Sequence, residues 1–267
     1  MLTYASLASG SSGNAALVSC GSTHILLDAG ISARRIGQGL AQLGLRPGEL
    51  AGVLITHEHS DHIAGLTTLL KNCPLPVWAT RGTCGELRRR IPFVDALVHT
   101  APAEGFGLGS FWVRPFPTSH DAAESAGFRL TADGGETAAV ATDLGVVTGA
   151  VLDGVLGADI LVAETNHDEE WLRSGPYPYY LKQRVLGDRG HLSNEAGAEL
   201  VAAAVEAGAR EVVLAHLSAE NDTPARARQA VCRRLAAAGI APEGDVRLAV
   251  APRDRLGEPH TVGRRAG

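Results

Sequence analysis

The first third of the chain alternates short apolar runs with polar turns. Strand patterns occupy LTYASLA, AALVSC and THILLDAG, and a polar turn over 9–14 separates the first two. A helix is predicted for ISARRIGQGLAQLG, because its apolar residues recur at helical spacing and Gly44 suits the position after a helix. The strand candidate AGVLITH then leads into a predicted helix over 63–70, and the strand candidate PVWAT precedes a short helix, CGELRRR.

Strand patterns return after Pro92 and lead into two helices. The strand candidates are DALVHT, FWVRPFPTSH, AGFRLTA, TAAVATD and ADILVAET. Helices are predicted over 194–207 and 224–238, with the strand EVVLAHL between them. The tail over about 258–267 is short and polar, so we expect it to fray.

This order of elements predicts an α/β fold. Two blocks of strands each lead into helices, and the chain contains no linker wide enough to separate two domains. We therefore expect a single domain over 1–267, in which two stacked sheets carry helices on their outer faces.

Composition and charge exclude several classes of protein. Apolar residues make up 45% of the chain and the net charge is −5, which excludes a polybasic nucleic-acid binder and requires any site for a polyanion to be local. No apolar run reaches the roughly 18 residues of a membrane span, and no signal-peptide pattern is present, so we expect a cytoplasmic protein without a membrane partner. The four cysteines lack CxxC spacing and are expected to be buried thiols.

The stretch THEHSDH over 56–62 carries the main chemical prediction. It follows an apolar strand, and His57, His59, Asp61 and His62 lie within six residues. The pattern H-x-H-x-D-H arises by chance in about one chain in a thousand of this composition, so a metal site is favoured over surface histidines. Imidazole and carboxylate ligands suit zinc, manganese or iron and do not distinguish among them.

Three polar residues further along the chain are candidates for the remaining ligands. His120, Asp143 and His216 each follow an apolar run and precede turn residues. Each alone would be interpreted as an ordinary loop residue. Because a cluster of six residues cannot complete two coordination spheres, we interpret the three together as ligands.

The pattern H-x-H-x-D-H, followed by a distant His, an Asp and a last His, resembles the metallo-β-lactamase fold superfamily. The resemblance implies a four-layer αββα sandwich with two divalent metal ions, Mn²⁺ or Zn²⁺. It implies one ion held by His57, His59 and His120, and another held by Asp61, His62 and His216. Asp143 is then expected to bridge the ions, and Asp28 to support the ligands from behind.

Other segments indicate which group within the superfamily the chain resembles. The 72 residues between Asp143 and His216 are too few for the β-CASP insertion domain. The segments SGSSGNA, AETNHDEEWLRSGPYPYYLKQRVLGDRGHLSNEAG and AHLSAENDTP closely resemble the YycJ/WalJ group of exonuclease-like relatives of RNase Z. This likeness implies a 5′-to-3′ DNA exonuclease in DNA repair or replication, and leaves open whether RNA is cut and whether the chain oligomerises.

We expect a hydroxide bridging the two ions to attack phosphorus, with Asp61 orienting it. His191, whose counterpart in RNase Z relatives contacts the scissile phosphate, would stabilise the phosphoryl oxygens or protonate the leaving oxygen. Glu164 is expected to support the ligands. Ser12 and Asn14 belong to a turn that could hold a terminal phosphate, and Lys182 and Arg184 could line the path of the nucleic-acid backbone. The full set of expected substrate-binding residues is Ser12, Asn14, Asn166, His167, Lys182, Arg184 and Asn194.

Alternatives to a nuclease stay open from the sequence. One is a non-catalytic metal-binding or nucleic-acid-binding module that kept the fold, against which the intact ligand pattern argues. A thiolester or lactone hydrolase like glyoxalase II uses a similar ligand set, but it would not need the cluster over 190–194. Tyr177, Tyr179 and Tyr180 are placed where aromatic rings could stack on bases. The simpler interpretation, which we prefer from the sequence, is that these tyrosines belong to the core.

Overall fold

The strands form two seven-stranded sheets in the computed structural model, which describes residues 1–242 and 244–263. The first sheet contains β1 (Leu2–Ala8), β2 (Ala15–Cys20), β3 (Thr23–Leu27), β4 (Gly52–Leu54), β5 (Val77–Ala79) and β6 (Val98–Thr100). The second contains β7 (Phe106–Leu108), β8 (Phe111–Pro117), β9 (Ala126–Ala132), β10 (Thr137–Ala141), β11 (Ile160–Glu164), β12 (Glu211–Ala215) and β13 (Arg247–Val250). A last strand, β14 (His260–Val262), returns to the first sheet beside β1.

Helices connect the strands and cover both outer faces. They are α1 (Ala33–Gln42), α2 (Ser60–Ile63), α3 (Leu66–Asn72), α4 (Arg81–Arg90), α5 (Gly149–Val155), α6 (Glu169–Ser174), α7 (Tyr179–Leu186), α8 (Asn194–Glu206) and α9 (Pro224–Ala237). Side-chain oxygens begin several of them: Ser193 accepts from the amide of Ala196, and Thr223 accepts from that of Arg226. The long predicted helices over 194–207 and 224–238 are thereby confirmed to within one residue.

Three apolar cores separate four layers. Along β11, Ile160 and Val162 pack between the sheets, while Leu161 and Ala163 pack against the helices on the outer face. The same alternation occurs in β3, where Leu26 faces the helices and its two neighbours face the other sheet. The αββα sandwich predicted from the sequence is therefore confirmed.

The strand directions bring the candidate ligands to one edge. In the first sheet β3 and β4 are parallel, and in the second sheet β10, β11 and β12 are parallel. β8 runs in the same direction as β10, because each is antiparallel to β9. The carboxyl ends of these strands are the points at which the candidate ligands were predicted.

The C-terminal tail differs from its prediction. We expected fraying from about Glu258, but β14 pairs with β1, and His260 is 3% exposed. Its Nδ1 lies 2.7 Å from Oε2 of Glu211, so a polar contact and sheet pairing hold a segment whose composition alone suggests disorder. The part of this expectation that concerns 264–267 lies outside the described residues.

Two smaller expectations can be compared with the structure. All four cysteines are free thiols, but of these only Cys84 is buried, so the expectation of buried thiols is wrong for Cys20, Cys73 and Cys232. Cys20 ends β2 and Cys73 directly follows α3, whereas Cys232 lies within α9, and all three are partly exposed. Among the described residues, no helix combines the length and apolar character needed to cross a bilayer.

We expect Phe128→Ala to destabilise the sandwich strongly. Phe128 is fully buried between the two sheets, and truncation of such a ring removes apolar contact and leaves a cavity. The free energy of unfolding should fall by about 3–5 kcal/mol, measured by chemical denaturation. Phe93→Ala is the matched control, since Phe93 is 43% exposed and should lose about 1 kcal/mol or less. Equal losses in the two variants would contradict the assignment of this core.

Candidate metal centre

Three residues at or near strand ends in the site have a left-handed backbone conformation. Among the described residues, three non-glycine residues have a positive φ: Asp28 at 58°, Asp143 at 59° and His216 at 59°. Asp28 and His216 directly follow β3 and β12, and Asp143 follows β10 by two residues. This left-handed conformation is unfavourable for residues with a side chain, so the surrounding contacts must hold it. All three were predicted as site residues.

His57, His59 and His120 form the first group of potential ligands. They offer ligand atoms within 4.8 Å of one another. His57 and His59 lie in the loop between β4 and α2, and His120 lies three residues beyond β8. Nε2 of His120 is 3.3 Å from Nδ1 of His59, and the ring of His57 lies 5.0 Å from that of His120. Both sheets therefore contribute to this group.

Asp61, His62 and His216 form the second group, with ligand atoms again within 4.8 Å. Oδ2 of Asp61 lies 3.5 Å from Nε2 of each histidine. Asp143 lies between the two groups, because its carboxylate is 3.4 Å from His62, 3.3 Å from His216 and 3.9 Å from His120. The residues predicted to hold two ions thus converge, and the predicted bridge has a central position.

The chemistry of these groups fits divalent cations. Nε2 of His57, Nε2 of His216 and Oδ2 of Asp143 are buried and have no hydrogen-bond partner among the described residues. A buried polar atom left without a partner costs about 1–3 kcal/mol, unless it binds a ligand. Imidazole and carboxylate donors without thiolates suit zinc or manganese.

The opposite ring nitrogens of the histidines are held by oxygens. Nδ1 of His62 lies 2.8 Å from Oδ2 of Asp28, and Nδ1 of His216 lies 3.0 Å from Oε1 of Glu164. Nδ1 of His120 lies 3.1 Å from the carbonyl oxygen of Gly190. Such contacts orient an imidazole so that its Nε2 faces the ion. Asp28 and Glu164 therefore lie where supporting groups are needed.

Thr56 contacts two of the predicted site residues and was missed by the sequence reasoning. Its hydroxyl donates to the carboxylate of Asp28 and lies 3.1 Å from Nδ1 of His57. The backbone N–H of Thr56 donates to the same carboxylate at 2.9 Å. Its position immediately before His57 was the available indication, but an isolated threonine at a strand end has no metal-binding character of its own.

Burial and neighbouring carboxylates have opposite effects on the pKa values of the buried histidines. Burial lowers the pKa of His57 well below its usual value. Burial also opposes the charged form of His216, but Asp143, Asp61 and Glu164 outweigh it and raise the pKa of His216 to about 10. The pKa of His62 is raised in the same way by Asp143 and Asp28, against burial. Protons therefore compensate the carboxylates when no cation is bound, and metal binding should release them.

His191 lies beside the cluster on the solvent side. Its Nδ1 is 2.8 Å from Oε1 of Glu164, which also faces His216, and its ring stacks on that of His216 at 5.2 Å. The side chain is 20% exposed. It lines a cavity of about 190 Å³ together with His120, Asn166 and Arg184. A group bound to the cluster could therefore contact His191 from this cavity.

Four of the predicted substrate-binding residues lie at or near the cavity and the ligand groups, and three do not. Asn166 and Arg184 line the cavity, and Ser12 is exposed on the turn over 9–14. Nδ2 of Asn14 lies 3.1 Å from Nε2 of His62. The remaining three face elsewhere. Nζ of Lys182 donates to the carbonyl oxygen of Arg173, while His167 and Asn194 are each 1% exposed and leave no surface for a substrate.

Comparisons with known proteins show the family and the fold to which this chain is similar. The family model described as "Beta-lactamase superfamily domain" matches residues 23–217. Exodeoxyribonuclease YycJ of Bacillus anthracis is 35% identical over 241 residues, which cover 90% of this chain and 91% of the relative. Exodeoxyribonuclease WalJ of Streptococcus pneumoniae serotype 2 (strain D39) is 36% identical over 243 residues, covering 89% of each chain. The crystal structure of the metallo-beta-lactamase fold protein YhfI from Bacillus subtilis superposes with a TM-score of 0.70 over 97% of this chain and 100% of its own, at 18% identity, and supports the fold alone.

We expect Gly30→Ala to weaken the metal centre. A Cβ atom at Gly30 would lie 1.7 Å from the carbonyl oxygen of Asp61 and 2.7 Å from the amide of Asn14, so the loop that carries Asp61 would have to move. Metal content after dialysis should fall, with a loss of about 1–3 kcal/mol in unfolding free energy. Gly37→Ala is the control, because open space surrounds a Cβ there. Full metal content in Gly30→Ala would refute this expectation.

We expect the carboxyl group of Asp222 to make stability depend on pH. Burial raises its pKa to about 7, although Oδ1 accepts from Nδ2 of Asn194 at 3.0 Å. The folded chain therefore holds this proton more tightly than the unfolded chain, so the contribution of this carboxyl group to the unfolding free energy should fall as pH rises from about 4 to about 7. Asp222→Asn should abolish this fall in denaturation experiments run with chelator.

Asp133→Asn controls for the change in net charge, because Asp133 is exposed. This control should keep the pH dependence of the parent chain. An Asp222→Asn profile that still parallels the parent profile would show that another group causes the fall.

Proposed function

Since this chain belongs to the beta-lactamase superfamily, we propose that it is a metal-dependent phosphodiesterase that degrades DNA from an end, in the 5′-to-3′ direction. The observation that carries the proposal is the convergence of two ligand groups on a central Asp143, beside a cavity that His120 of the first group and His191 both line. Relatives named exodeoxyribonuclease support DNA as the substrate class. We propose DNA repair as the biological role.

The ligand groups would hold two divalent ions, Mn²⁺ or Zn²⁺. His57, His59 and His120 would hold one, and Asp61, His62 and His216 the other, with Asp143 contacting both. When bound, such ions supply a hydroxide nucleophile at neutral pH and neutralise charge that develops on the phosphoryl oxygens. Four added positive charges also nearly offset the net charge of −5, so an anionic substrate can approach.

Glu164 prepares His191 for contact with phosphate. Despite burial, His191 and His216 lower the pKa of Glu164 to about 2, so this carboxyl group is ionised at neutral pH. The carboxylate favours a proton on Nδ1 of His191 and leaves Nε2 directed away from it. In the imidazolium form, Nε2 donates to a phosphoryl oxygen or protonates the leaving oxygen. Asp61, which is part of the second group, would orient the nucleophile.

The turn over 9–14 supports attack from an end. Gly10 and Gly13 have φ of 135° and 146°, a conformation that residues with a side chain rarely adopt, and Ser11 lines the cavity beside His191. Asn14 holds the turn closed, because its Oδ1 accepts from the amide of Gly10 at 2.8 Å. Hydroxyl and amide donors of this turn, including Ser12, would hold a terminal phosphate.

The activity is tested with chain purified without chelator and then supplied with Mn²⁺ or Zn²⁺. Substrates are 5′-phosphorylated duplex DNA, single-stranded DNA, the matching RNA and S-lactoylglutathione, each with and without EDTA. We expect nucleotide release from DNA that EDTA abolishes. Hydrolysis of the thiolester alone would favour the glyoxalase II-like alternative and overturn the proposal.

His191→Ala and Asp143→Ala should separate contact with the phosphate from metal binding. His191→Ala should retain its metal and lose turnover roughly 100-fold to 10,000-fold, the usual effect of removing an acid or a charge-stabilising donor. Asp143→Ala should lose metal itself, because Asp143 contacts both groups. Metal content is measured by mass spectrometry of the dialysed variants. Loss of metal in His191→Ala would make His191 a ligand rather than a contact to phosphate.

A further inference from the structure

Unpaired cations are concentrated on one part of the surface. Most lysines and arginines pair with a carboxylate or donate to a carbonyl oxygen, as Arg184 does to Asp121 and Lys182 does to the carbonyl of Arg173. Within 1–242 and 244–263, the arginines whose side chains make no hydrogen bond, ion pair or ring contact are Arg34, Arg35, Arg81, Arg253 and Arg255. All of these except Arg81 lie in segments that flank the turn over 9–14.

The loop that carries Arg253 and Arg255 lies against one side of this turn. A Cβ atom at Gly10 would lie 3.6 Å from Nε of Arg253, so this side chain packs on the backbone of the turn. Both arginines line a cavity of about 450 Å³, to which Ser9 of the turn also contributes. Asp254 is exposed between them, so the three residues together keep an excess of one positive charge.

The start of helix α1 lies against the other side of the turn. A Cβ atom at Gly13 would lie 2.8 Å from the side chain of Ile31, and the next residue, Ser32, is the N-cap of α1. Arg34 and Arg35 occupy the first turn of this helix, which contains no acidic residue. The helix dipole is unfavourable for cations at this end, so the stability of α1 does not explain their position. Both cations are available to an external anion.

The exposed residues of helix α7 do not form a comparable surface. Tyr179 is 77% exposed, Tyr180 is 74% exposed and Tyr177 is half-buried, so the expectation that these tyrosines belong to the core is wrong. Of the three, only Tyr177 lines the cavity beside the metal centre. Arg184, the cation of α7 that lines this cavity, is already paired with a carboxylate. The unpaired arginines, in contrast, adjoin the cavity through Ser11 of the turn.

We propose that an arginine surface, formed by Arg34, Arg35, Arg253 and Arg255 around the turn over 9–14, binds backbone phosphates of the DNA whose end lies in the cavity. The inference rests on the proposed function and adds a binding surface outside the reacting centre. Guanidinium groups can donate two hydrogen bonds to one phosphate, and phosphate contacts carry no sequence information, which suits an enzyme that holds successive nucleotides. With a net charge of −5, the chain needs such a local site, because its surface as a whole does not attract a polyanion.

The test measures binding separately from cleavage. A fluorescent 5′-phosphorylated DNA duplex with phosphorothioate linkages is titrated with the metal-loaded chain, and anisotropy gives Kd at salt concentrations from about 50 to about 200 mM. Arg35→Gln and Arg253→Gln should each raise Kd roughly threefold to tenfold at the lowest salt. Each should also reduce the slope of log Kd against log salt by about 1, the effect of losing one phosphate contact. The double variant should combine both losses, because the two residues lie on opposite sides of the turn.

Arg46→Gln is the matched control for the change in charge. Its side chain is 85% exposed, pairs with Glu49 and lies beyond the other end of α1. Its Kd should stay within about twofold of the parent value, and its salt slope should equal that of the parent chain. Thermal unfolding checks the fold of the variants. Arg35→Gln should not lower the midpoint, because it removes a cation from the positive end of a helix.

Several results would overturn the inference. A parent-like Kd and salt slope in the Arg35→Gln/Arg253→Gln variant would exclude this surface while leaving the nuclease proposal intact. An equal loss in Arg46→Gln would show that net charge, rather than these positions, controls binding. A raised Kd for the matching RNA duplex with an unchanged Kd for DNA would assign the surface to RNA. Absence of cleavage of the unmodified DNA by the metal-loaded parent chain would remove the proposed function, and this inference with it.

Discussion

The buried negative charge of Asp143 must be balanced by positive charge nearby, and the centre depends on this constraint. Its carboxylate is 2% exposed, lies in a left-handed backbone conformation and faces three imidazoles at 3.3–3.9 Å. Burial opposes its ionisation, but His216 and His62 lower its pKa well below the usual value. An ionised carboxylate at this depth requires positive charge nearby, either as protons on the histidines or as bound cations. The loop after β4 and the ends of β8 and β12 are arranged around this requirement.

Three oxygen acceptors behind the candidate ligands fix the orientation of their imidazole rings. Asp28, Glu164 and a backbone carbonyl each face one ring nitrogen, so the other nitrogen of each histidine is available to an ion. Glu164 faces both His216 and His191, and thereby links the candidate ligands to the residue proposed to contact phosphate. The orientation of His191 therefore depends on the same carboxylate as the orientation of a ligand.

The sequence predicted the sandwich and the convergence of the ligand residues, because both follow from local patterns. Parallel strands end at one edge of a sheet, so polar residues after apolar runs, such as His120 and His216, had a predictable location. Burial of His167 and Asn194 was not predictable, since it depends on how the segments after β11 and before α8 pack together. Exposure of Tyr180 and pairing of β14 were missed for the same reason: they are set by tertiary contacts that composition does not describe.

The division of the donors between two sheets has a consequence for biosynthesis. His57, His59, Asp61 and His62 are translated early, whereas the donors of the second sheet end with His216, near the C-terminus of the described chain. A nascent polypeptide therefore carries its histidine-rich loop before His120 and Asp143 complete the first ligand group, and carries that group before His216 completes the second. Hydrolysis that depends on both groups requires His216 to have left the ribosome and β12 to have joined its sheet.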